Sequence, residues 1–145
     1  MTPIDPDDEG PKDIFLRSLD RCDRSGHFTD RFYDRFLASS PEIRERFRFT
    51  DFTRQRRMLR RSLELVAKAT AGDPEGLSEL SERAATHSRA QLNIAPHLYE
   101  VWTEALIATA VEADPDWTLE IESAWRFILG VAVGHMTRRY DREEP

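Results

Sequence analysis

Thr53-Arg54-Gln55-Arg56-Arg57-Met58-Leu59-Arg60-Arg61-Ser62-Leu63-Glu64-Leu65-Val66 is the stretch on which the fold turns. Gln55, Met58, Leu59, Ser62, Leu63 and Val66 recur at i, i+3, i+4, i+7, i+8 and i+11, which is one face of an α-helix. That face begins with an amide and continues mostly apolar. Arg54, Arg56, Arg57, Arg60 and Arg61 fall off it, so the helix has a basic back and a front that wants burial. Its expected extent is residues 53–70.

Downstream, Ala71-Gly72-Asp73 is a loop and a shorter helix is expected over residues 75–88. There Leu77, Leu80, Ala84 and His87 share a face, so an apolar stripe ends in a histidine. Read locally, His87 is a histidine satisfied by a carbonyl and Gln55 a polar residue at a helix start. Helical spacing also covers residues 13–24, 28–38, 96–112 and 118–140, with a short helical turn from Pro41 and an irregular stretch over 47–52. Ser25-Gly26 breaks the first two apart. Prolines 41, 74 and 96 suit first helical turns, where a missing N–H costs nothing. Ser40 and Asp73 have side chains that can cap the starts they precede. No run alternates as a strand would. About seven helices make an all-α fold, and periodicity alone does not choose among such folds.

A chain of 145 residues, 39% apolar, can bury a real core as one domain, expected over residues 13–145 after a flexible polar tail at 1–12. The net charge of −6 argues against nucleic acid and anionic membranes as partners. Read alone, residues 44–61 look like an arginine-rich RNA-binding motif. The regular apolar stripe and the negative total go against that. The N-terminus has no apolar signal core, and no run reaches the ~18 apolar residues of a membrane span. A single cysteine, Cys22, excludes an intrachain disulfide and fits a reducing, cytoplasmic setting.

Several segments, in order, resemble the globin domain of bacterial flavohaemoglobins and their single-domain relatives. Phe32-Tyr33-Asp34-Arg35-Phe36 is followed by Pro41-Glu42-Ile43-Arg44-Glu45-Arg46-Phe47, with Tyr33 and Phe47 at the family's separation of 14. Gln55 is followed by Leu59, and His87 comes 32 residues after Gln55. Leu92-Asn93-Ile94-Ala95-Pro96-His97-Leu98-Tyr99 is similar to the family's approach to its penultimate helix, and Trp125 to a tryptophan of the last.

The resemblance implies a globin fold around haem b, with His87 as the axial iron ligand. Covalent attachment is not expected, because no Cys-x-x-Cys-His is present. Thr86 or a nearby carbonyl would fix the tautomer of His87, and Phe47 would stack on the porphyrin. Tyr33 and Gln55 would face a diatomic gas (O2, NO or CO) on the distal side, within walls formed by Met58 and Leu59. Arg54 is the residue expected at a propionate. Tyr99 corresponds to a family tyrosine near the axial histidine, its alternative being a core aromatic. His97 is expected at the haem edge or the surface, His27 exposed, and His135 as a packing residue; Trp102, Trp117 and Trp125 are also read as packing residues.

Three features depart from the family. Tyr140 stands where flavohaemoglobins carry a glutamate on the proximal side. The loop from Phe47 to Gln55 is shorter, and the stretch from His87 to Pro96 is two residues longer. The length leaves no room for a flavin or nicotinamide domain, so nitric oxide dioxygenase activity would need an external reductase. The competing expectation is a globin-type sensor that signals through a protein partner.

Overall fold

The computed structural model describes residues 9–89 and 91–141. Seven helices are present among them and no strand: α1 (Pro11–Arg24), α2 (Phe28–Ala38), α3 (Pro41–Arg46), α4 (Phe52–Ala69), α5 (Pro74–Thr86), α6 (His97–Ala113) and α7 (Leu119–Arg139). The all-α architecture is the one the periodicity implies. Of the tail expected at 1–12, residues 1–8 lie outside the described residues. Helix α1 starts at Pro11, two residues early, because the Gly10 carbonyl accepts from Asp13 and Ile14 and Pro11 occupies the first turn.

The caps are chemical and local. Ser40 Oγ accepts from the Glu42 N–H at 3.2 Å, and the Asp73 carboxylate accepts from the Gly76 N–H at 2.9 Å. Asp51 accepts from the Thr53 and Arg54 N–H groups, which moves the start of α4 into the stretch read as irregular. Helix α5 is shorter than its apolar stripe. It ends at Thr86, and His87 is its C-cap residue. Beyond it the chain turns back on itself: Leu92 N–H reaches the Thr86 carbonyl, Asn93 N–H the Ser88 carbonyl and Ile94 N–H the His87 carbonyl. Asn93 takes the positive φ of 53° that this turn needs, a conformation asparagine tolerates better than most residues.

Helix α4 packs on α5, α1 on α7, α2 on α6 and α5 on α7. The tightest approach is at Gly76, where a Cβ would fall 2.4 Å from the Leu65 carbonyl oxygen and 2.6 Å from the Ala69 nitrogen. Leu77, next to it and expected on the buried face, is 45% exposed. Trp125 anchors the opposite end of the core. It is fully buried, edge-on to Phe15 with centroids 4.6 Å apart. Its indole N–H donates to Ser18 Oγ, which donates to the buried carboxylate of Asp114, itself forked by Arg21 at 2.6 and 3.0 Å. Burial works against the Asp114 charge. Hydrogen bonds from Arg21, Ser18 and the Asp116 N–H outweigh it and hold the carboxyl below its ordinary range. The network ties α1 to the corner between α6 and α7.

Candidate functional site

Helices α2 to α7 converge on a cavity of about 180 Å³. That is more than ten times the roughly 10–15 Å³ that admits one water. An apolar recess of this kind with a few placed polar groups has the form of a ligand pocket. Most of the wall is apolar: Ile43, Leu59, Leu63, Val66, Leu80, Leu98, Leu129, Ala132 and Met136. Polar groups are few and placed.

Tyr33 (α2) and Gln55 (first turn of α4) share one side. Tyr33 is 4% exposed. Burial pushes its hydroxyl up to about 12, against a hydrogen bond with Gln55 that lowers it. A bond that lowers a phenol's pKa favours the phenolate. The Gln55 amide and the Tyr33 hydroxyl thus stand within reach of each other on one side of the cavity. Phe47 stands beside them with Phe36, Tyr33 and Phe52, ring centroids about 6 Å apart. Met58 lines the cavity but is 39% exposed, so it sits at the mouth.

His87 also lines the cavity, from α5. Its Nδ1 is 2.9 Å from the Arg83 carbonyl and 3.2 Å from Thr86 Oγ1. A carbonyl only accepts, so Nδ1 carries the proton and Nε2 keeps its lone pair. Burial pushes the imidazole's pKa down, outweighing the Arg83 carbonyl bond, so the ring is neutral at pH 7. A neutral imidazole with a free nitrogen at an apolar cavity is a metal ligand in form. Among the described residues no cluster of three or more His, Cys, Asp or Glu could hold a metal. An ion at His87 would have to bring most of its ligands with it, as a porphyrin iron does.

Tyr99 is 5% exposed and lines the cavity, and its hydroxyl has no protein partner. Burial raises it to about 12. Tyr140, in the place of the family glutamate, turns elsewhere: its hydroxyl donates to Asn93 Oδ1 at 2.5 Å. Arg46 donates to the Leu92 and Asn93 carbonyls at 3.0 and 2.6 Å. Together they clamp the long turn after His87.

Tyr33, Phe47, Gln55, Met58, Leu59, His87 and Tyr99 thus meet around one volume, although they come from five separate segments. Arg54 does not join them. It is exposed at the start of α4, while Arg46 and Arg83 are the arginines on the cavity wall. Both were missed. Arg83 had a signal, since it precedes His87 by one helical turn. His97 is 66% exposed and pairs with Glu42, and His135 lies on the outer face of α7 beside Phe127. Trp102, expected in packing, lines the cavity as well.

Comparison with known proteins agrees with this geometry. No curated protein matches the chain. A solved structure does: the protein PA3967 of Pseudomonas aeruginosa PAO1, described as structurally highly homologous to human haemoglobin. It is 37% identical, with a TM-score of 0.87 over 92% of this chain and 100% of that one. The Globin family model matches residues 30–136, a span that holds every cavity residue from Tyr33 to Met136. The chain belongs to the globin family.

Proposed function

We propose that the protein binds haem b through His87 and uses it to hold a diatomic gas reversibly. The observation that carries this reading is one neutral imidazole across an apolar cavity from a paired Tyr33 and Gln55. The donor set fits haem: one nitrogen for the iron, apolar walls for the macrocycle, and aromatic Phe47 beside them. Haem iron, when bound, supplies an open coordination position at which O2, NO or CO can be held.

The chain's own residues do the rest. The Arg83 carbonyl fixes the tautomer and direction of His87. Tyr33 and Gln55 offer an O–H and an N–H donor to the distal space. A partly negative ligand atom gains from such a fixed donor in dry surroundings, where no water needs to reorganise. The walls from Leu59 to Met136 exclude water, and Met58 governs the mouth.

His87 gives its N–H to a backbone carbonyl, and the Tyr140 hydroxyl is engaged by Asn93. A carboxylate partner would make the imidazole a stronger electron donor, and a carbonyl does so less. This favours reversible binding over O–O cleavage. Nitric oxide oxidation with electrons from a separate reductase is the natural extension.

The test is reconstitution with haem. The wild type is expected to bind one haem per chain and to give a five-coordinate histidine-ligated ferrous spectrum that shifts with CO. His87→Gly should lose that spectrum and regain it with added imidazole. A glycine variant that keeps the wild-type ferrous spectrum without imidazole would overturn the ligand assignment.

A further inference from the structure

The wall behind His87 carries two opposite charges that the proposed function does not use. Ser62 (α4) donates to Glu79 Oε1 (α5) at 2.7 Å across the helix interface. Arg83 Nε lies 3.0 Å from that same oxygen. Its N–H is not aimed at the oxygen, so Nε is buried without a hydrogen bond and the contact is one of charge. A second guanidinium nitrogen lies 3.3 Å from Glu82. The Glu79 and Arg83 side chains are only 17% and 26% exposed, so water screens them less than it would a surface pair.

Stability does not account for this arrangement. An exposed i, i+4 pair contributes little, and burying both partners costs solvation. What sets this pair apart is its position. The Arg83 side chain lines the cavity, while the same residue's carbonyl holds His87 Nδ1 at 2.9 Å. Glu79 lies one turn earlier in α5, held by the hydrogen bond from Ser62.

We propose that Glu79 and Arg83 are positioning residues that form a balanced charge pair behind His87 and set the reduction potential of the iron His87 would hold. The inference rests on the axial role given to His87 above. A cation at the imidazole disfavours the oxidised, more positive metal, and a carboxylate favours it. Glu82 is 64% exposed and screened by water, so the Glu79 and Arg83 fields dominate and, with both present, largely cancel. Each charge removed alone leaves the other uncompensated, so the two single variants move the potential in opposite directions.

The experiment is spectroelectrochemistry of the haem-reconstituted wild type, Arg83→Met, Glu79→Gln, Arg83→Lys and the double variant Glu79→Gln/Arg83→Met. Arg83→Met should have a lower midpoint potential than wild type and Glu79→Gln a higher one. Arg83→Lys keeps the charge and should stay near wild type, and the double variant should return toward it. A merely structural role would loosen the pocket, admit water and move both single variants the same way. Shifts of one sign, or none, with the histidine-ligated ferrous spectrum intact, overturn the charge-pair role and leave the axial ligand standing. A wild type without that spectrum overturns both.

Discussion

Substituting Tyr33 by Phe deletes one hydroxyl and leaves a ring of the same shape among Phe32, Phe47 and Phe52. A hydrogen bond to a charged acceptor is worth roughly 1.5–3 kcal/mol, and at ~1.4 kcal/mol per tenfold its loss would speed oxygen release by about 10- to 100-fold. The structure reduces that figure. Gln55 lines the same side of the cavity, so once the hydroxyl is gone its amide can turn toward the ligand. A neutral hydrogen bond gained there returns about 1 kcal/mol. The net loss is then about 0.5–2 kcal/mol, or roughly 2- to 30-fold in off-rate. Carbon monoxide carries less negative charge, and its release should change much less. Gln55→Leu should act in the same direction but weakly, because Tyr33 still donates. The double variant should lose more than the sum of the two, since nothing can then substitute. Stopped-flow displacement measures the oxygen and carbon monoxide off-rates of all four proteins. Equal oxygen off-rates in wild type and Tyr33→Phe, or equal effects on both gases, would refute the distal-donor argument.

Gly76→Ala should destabilise the fold by about 3 kcal/mol and lower its thermal midpoint by roughly 10 °C, because the added methyl meets backbone atoms of α4 that cannot step aside. Differential scanning calorimetry reads this directly, and an unchanged midpoint would mean that α4 and α5 can part at little cost. Asp114→Ala should cost about 3 kcal/mol in urea unfolding, the low end for a broken buried pair, because Arg21 keeps 21% of its side chain in water. The folded pKa of Asp114 lies below its ordinary value of 3.8, so its stabilisation is present above about pH 4 and is lost as pH falls through the folded value. Asp114→Asn should therefore flatten the acid limb of the stability profile below pH 4, and an unchanged slope would count against this network.

The all-α class and most helix starts follow from the sequence for local reasons. A Pro in the first turn and a Ser or Asp before it decide where a helix begins, and the 3.6-residue period of apolar side chains decides which face is buried. The separations of Tyr33, Phe47, Gln55 and His87 were also readable, since chain spacing is preserved when helices keep their lengths. What the tertiary structure decided is how those faces meet. Leu77 has the right period for burial and is exposed, while its neighbour Gly76 takes the close contact with the α4 backbone. Arg54 has the right charge for a propionate and points to solvent, while Arg46 and Arg83 reach the cavity from α3 and α5. The tautomer of His87 depends on the Arg83 carbonyl, one turn back at the end of α5, lying 2.9 Å from Nδ1. The bond from Tyr140 to Asn93 depends on a turn that brings residues 47 positions apart together. Hydrogen bonds and charge pairs act over a few ångströms in space. The sequence by itself therefore determined which groups were available, and only the folded chain decided which of them share one volume.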